Sequence, residues 1–95
     1  MTQKLTIQEV DDYLTELNSW SIIDGKLHKE FEFVDFTAAF KFMSDAVPHI
    51  DTMNHHPEWS NVYNKVIVNL VTHDVGGVTM NDINLAKILD SLVSS

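Results

Sequence analysis

At 95 residues the chain has room for one domain, expected over 1–95, and a domain this small buries only about two-thirds of its unfolded surface, so self-association suits it. Six lysines, no arginine and 14 Asp plus Glu give a formal net charge of −8, which argues against direct nucleic-acid binding and against a polybasic membrane anchor, since both need cationic side chains. The absence of cysteine excludes disulfides, thiolate nucleophiles and Cys-bound metals, and with neither an apolar run of about 20 residues nor a signal-peptide core after Met1, a cytoplasmic protein is expected.

Thr6-Ile7-Gln8-Glu9 has the form of a capping box and opens a helix over 6–17, with Ile7, Val10, Leu14 and Leu17 as its apolar stripe. The next two segments, 20–23 and 26–33, read as a hairpin, because Asp24-Gly25 supplies the positive φ angles of a two-residue turn. Leu27, Phe31 and Phe33 alternate there with His28, Glu30 and Glu32, one face buried and one wet. Asp35 caps a second helix that reaches about Asn54, with Phe36, Ala39, Phe40, Met43, Val47 and Ile50 on one stripe. Pro48 predicts a kink near Asp45 or a break after Val47, since a proline removes a helical hydrogen bond.

A short extended piece follows at 58–62, then a turn near Asn64 and a central strand over 65–72. Val66, Val68 and Leu70 share one face of that strand; Ile67, Asn69 and Val71 share the other, with His73 at or just past its end. The apolar character of Ile67 and Val71 calls for cover on that second face. Thr79-Met80-Asn81-Asp82 resembles another capping box and opens a third helix over 80–92. The order α-β-β-α-β-β-α predicts an α+β domain: a four-stranded antiparallel sheet with three helices on one face.

The densest polar cluster is Asp51-Thr52-Met53-Asn54-His55-His56-Pro57-Glu58-Trp59. If the helix continues, Asp51 and His55 stack four residues apart, and His56 points about 100° away. Imidazoles titrate near neutrality and suit general acid/base work, whereas a His-His pair at a helix end also serves to cap carbonyls. Trp59 and Tyr63 can stack on a flat ligand or belong to the core. Asp51, His55 and His73 could form a two-His, one-carboxylate metal set, but no H-E-x-x-H motif and no second carboxylate at a recognisable interval accompany them.

Asp51, His55-His56-Pro57, Tyr63, His73 and Asp82, with the flanking words His55-His56-Pro57-Glu58-Trp59, Asn61-Val62-Tyr63-Asn64-Lys65-Val66 and Asp82-Ile83-Asn84-Leu85-Ala86, resemble the signature of the pterin-4α-carbinolamine dehydratases along essentially the whole chain. The resemblance implies dehydration of 4a-hydroxytetrahydropterin to quinonoid dihydropterin, in tetrahydrobiopterin recycling for an aromatic amino-acid hydroxylase, with no metal or redox cofactor. It implies His55, His56 and His73 as catalytic residues: His55 and His73 as the acid/base pair and His56 mainly binding the pterin. Asp51 would orient His55, Trp59 would wall the pocket, and Asp82 would cap the third helix and support His73. A homodimer or homotetramer is implied as well. The alternative within the same fold is a non-enzymatic protein-binding module, such as a dimerisation cofactor of a transcription factor, which would have no need of the histidine set.

Overall fold

The computed structural model describes residues 3–93; the outermost ends of the expected 1–95 domain lie outside the described residues. The elements are α1 (Ile7–Leu14), β1 (Ser21–Ile23), β2 (Lys26–Glu32), α2 (Phe36–Met53), β3 (Glu58–Val62), β4 (Lys65–Leu70), a 3-10 turn (His73–Val75) and α3 (Met80–Val93). All strand pairs are antiparallel, in the order β1-β2-β4-β3. The expected α+β order is therefore the observed one. Among the described residues no helix is long and apolar enough to cross a membrane.

Local chemistry accounts for most of the boundaries. Thr6 and Glu9 close the capping box reciprocally, at 3.1 and 2.9 Å. α1 ends three residues before the expected limit, because Glu16 and Leu17 bond back to Tyr13 and Leu14 in tighter i to i−3 fashion and Ser19 adopts a positive φ. Ile7, expected on the buried stripe, is exposed, while Val10 and Leu17 enter the core. Asp24 and Gly25 both have positive φ, 54° and 76°, as the β1–β2 turn requires.

α2 departs from expectation twice. It runs unbroken through Pro48, and since Ser44 and Pro48 are both exposed, water can satisfy the carbonyl that the proline ring leaves unpaired. Its core stripe is Ala39, Phe42, Ala46 and Ile50, whereas Phe36, Phe40 and Val47 remain 49%, 56% and 46% exposed. The two fully buried alanines let the helix approach closely, which turns the larger side chains outward. Leu27, Phe31, Val66, Val68 and Leu70 form the sheet's covered face, in one cluster with Ile83, Leu85, Ala86 and Leu89 of α3.

The opposite face carries His28, Glu30, Ile67 and Asn69, half-buried or exposed. Val71 is already buried within the chain, so the Ile67/Val71 face leaves little apolar surface to cover, while Phe36, Phe40 and Val47 are exposed on the outer side of α2. Lys29 occupies a covered-face position, where its ammonium meets Asp90 of α3 at 2.7 Å and the Asn18 carbonyl at 2.6 Å.

Candidate active site

Asn54 terminates α2 in the left-handed region, at φ 51° and ψ 42°, which asparagine tolerates better than most residues. The helix therefore stops before His55, and the expected stacking of His55 on Asp51 does not arise; Asp51 lies exposed one turn back. The reversal sends His55 inward, where its side chain is 11% exposed, and leaves His56 outside. Pro57 then leads directly into β3.

The carboxylate that meets His55 is Asp82, with Oδ1 2.5 Å from Nε2. Asp82 is fully buried at the start of α3. Its Oδ2 accepts from the Thr79 amide and from the Thr72 hydroxyl, both at 2.9 Å. Because the Thr72 proton goes to Asp82, the 2.8 Å contact between the two threonine hydroxyls is donated by Thr79, whose oxygen also accepts from the Asn81 amide at 3.2 Å. A chain of donors thus converges on one carboxylate, and a carboxylate only accepts. With Asp82 as the carboxylate, Nε2 of His55 is the donor, and Nδ1 has no partner among the described residues.

His73 follows Thr72 immediately and begins the 3-10 turn, with its side chain 72% exposed. Its Nε2 lies 3.1 Å from Glu58 Oε2, and Glu58 Oε1 lies 2.7 Å from Lys26 Nζ. The hydrogen bond from Lys26 is the main cause holding the Glu58 carboxyl below the usual range, against an opposing contribution from burial and with help from the fields of Lys26 and His73. The contacts differ from those expected: Asp82 bonds His55, where Asp51 was expected, and Glu58 stands beside His73, where Asp82 was expected.

The contacts form a closed circuit from His55 to Asp82, to Thr72 and its neighbour His73, to Glu58, and back along 57 and 56. Three peptide steps span at most about 11 Å, so the Cα atoms of His55 and Glu58, whose side chains meet Asp82 and His73, lie within that distance of each other. Beside it Glu58, Trp59, Ser60, Ile67 and Asn69 line a shallow depression of about 210 Å³ on the open sheet face. Trp59 pairs with Val68 on the covered side and packs against the core, which limits it to the depression's edge. Neither this depression nor a larger concavity of about 470 Å³, between β2 and α2, is lined by a histidine, so the chemistry and not the volume marks the site. Among the described residues no group of three or more His, Asp or Glu side chains is arranged to hold a metal ion.

Glu58 went without a role in the sequence reading although it sits inside the His55–Trp59 word. Nothing local marks it: its contact with His73 depends on where β3 begins relative to the turn after β4. Asp82 was marked by its capping position, but its bond to His55 spans 27 residues and requires the fold.

Compared with known proteins, residues 3–92 match the family described as Pterin 4 alpha carbinolamine dehydratase. A Solibacter usitatus protein provisionally named pterin-4-alpha-carbinolamine dehydratase is 48% identical over 94 residues, covering 99% of each chain. A Prochlorococcus marinus protein of the same provisional name is 42% identical over 95 residues, covering 100% of both. The crystal structure of a transcriptional coactivator/pterin dehydratase from Brucella melitensis superposes with a TM-score of 0.93 at 38% identity, across 97% of this chain and 100% of that one.

Proposed function

The chain belongs to the pterin 4 alpha carbinolamine dehydratase family of hydro-lyases, and on that premise we propose that it dehydrates 4a-hydroxytetrahydropterin with His55 and His73 as the acid/base pair. The observation that carries this reading is the pair of imidazoles in one contact circuit, His55 hydrogen-bonded to Asp82 through Nε2 and His73 with its Nε2 3.1 Å from the Glu58 carboxylate. The reaction breaks the C4a–O bond as the hydroxyl takes a proton. N5 gives up its proton, the C4a=N5 double bond forms, and water leaves. One protonated and one neutral imidazole can supply both transfers near pH 7, and the electrons balance without an oxidant or reductant.

His56, exposed beside His55, binds the pterin in this reading, with Asp51 at the outer rim and Trp59 at the depression's edge. Asp82 holds His55. The carbinolamine would come from an aromatic amino-acid hydroxylase in the cytoplasm, as part of pterin recycling.

The test is to add purified protein to a phenylalanine hydroxylase reaction and follow the decay of the 4a-hydroxypterin absorbance. Decay faster than the spontaneous dehydration is expected; no acceleration would sink the proposal.

A homodimer or homotetramer is part of the same reading, supported by the outer α2 stripe of Phe36, Phe40 and Val47, with the two rings 6.0 Å apart. Phe40→Asp places a charge in that stripe without touching the core and should shift sedimentation toward monomer. A wild-type protein that sediments as monomer at micromolar concentration would contradict the assembly.

A further inference from the structure

His73 stands on a single 3-10 turn with most of its ring in solvent, so packing does little to choose its rotamer. What meets the ring is Glu58, and what holds Glu58 is Lys26, a residue two strands away in the sheet. The strand register accounts for this reach. His28, Asn69 and Glu58 are successive cross-strand neighbours on the open face, so Lys26, two residues before His28, projects from that same face two strands away from Glu58. Neighbouring strands lie about 4.8 Å apart, and a lysine and a glutamate extended toward each other can close the gap of about 10 Å over β4. An exposed ion pair of this kind adds little to stability, but a carboxylate fixed at one oxygen has its other oxygen fixed as well.

Resting on the dehydratase reading above, we propose that Glu58, held by Lys26, is the positioning residue for His73, setting its ring so that Nε2 carries the proton and Nδ1 faces the pterin. Glu58 does not touch the substrate. It acts by removing the second tautomer and most of the rotamers of a solvent-exposed imidazole. Because Lys26 keeps the Glu58 carboxyl below its usual range, the acceptor persists at neutral and mildly acidic pH and is lost only as pH falls through that lowered value.

The experiment compares wild type, Glu58→Ala, Glu58→Gln and Lys26→Met. Steady-state dehydration kinetics are read beside the His73 side-chain nitrogens in long-range proton–nitrogen NMR of the full chain. Wild-type His73 should show predominantly the Nε2–H tautomer. In Glu58→Ala it should become the mixture of a free imidazole, with kcat down about 10-fold or more from lost orientation, KM changed far less, and the melting temperature nearly unchanged. Glu58→Gln keeps an acceptor oxygen and should recover part of both signals, and Lys26→Met should fall between wild type and Glu58→Ala. Wild-type kcat in Glu58→Ala overturns the assignment, as does an unchanged tautomer. A wild-type protein with no dehydratase activity overturns the functional reading instead, while the NMR comparison still decides whether Glu58 fixes the ring.

Discussion

His55→Ala is expected to lower the acceleration of pterin dehydration by about 10²- to 10⁴-fold, the usual contribution of one positioned proton-transfer group. The loss should fall on kcat, since His56, proposed to bind the pterin, is left in place. The substitution also strips Asp82 Oδ1 of its donor while Oδ2 keeps the Thr72 hydroxyl and the Thr79 amide. An unsatisfied buried acceptor costs about 1–3 kcal/mol, so the variant should melt lower yet stay folded. Asp82→Ala should lose activity by the same route and more stability, because it leaves the Thr79 amide and the Thr72 hydroxyl without their acceptor at the start of α3. Circular dichroism melts beside the absorbance assay separate the two effects. Full activity in His55→Ala would remove His55 from the acid/base pair.

That outcome depends on a contact the sequence could show only in halves. The capping word Thr79-Met80-Asn81-Asp82 places a carboxylate at a helix start, and the Thr79 amide does bond it at 2.9 Å. The His-His-Pro word marks the end of another helix. Joining them needs α2 to end at a left-handed Asn54, and no periodicity predicts that one residue's backbone would turn His55 from Asp51 toward Asp82.

The features that were legible are those set by near neighbours. Val66, Val68 and Leu70 are fully buried because strand alternation is a local rule, and the Asp24-Gly25 turn follows from the φ angles those residues permit. Features decided by competition between distant surfaces were not legible. α2 has two apolar stripes, and the one that carries Ala39 and Ala46 between Phe42 and Ile50 took the core because two alanines allow a closer approach. Lys29 is the sharper case. Alternation puts position 29 on the face of Leu27 and Phe31, and a lysine there is tolerable only because Asp90, 61 residues away, is waiting for it.

Asp90→Ala should therefore be among the most damaging substitutions outside the site, at about 3–5 kcal/mol, the usual cost of leaving one partner of a buried ion pair alone. The two side chains are 9% and 18% exposed, so solvent screens the pair little. Asp90 also accepts from the Trp20 indole at 3.0 and 3.1 Å and from the Asn18 amide at 3.3 Å, tying the segment after α1 to α3. Without it the Lys29 ammonium keeps the Asn18 carbonyl and the face of Phe31, 4.6 Å away, which soften the loss without replacing the charge. At about 4–8 °C per kcal/mol for a domain of this size, the melting temperature should fall by at least about 12 °C. Lys29→Met should cost far less, since Asp90 retains its indole and backbone donors near solvent. The double variant Lys29→Met/Asp90→Leu should recover only part of the loss, because an apolar pair of similar volume carries no desolvation penalty while the Trp20 indole still lacks its acceptor. Urea titrations with constant slope measure all three, and a loss below about 1 kcal/mol in Asp90→Ala would show that the fold does not depend on this pair.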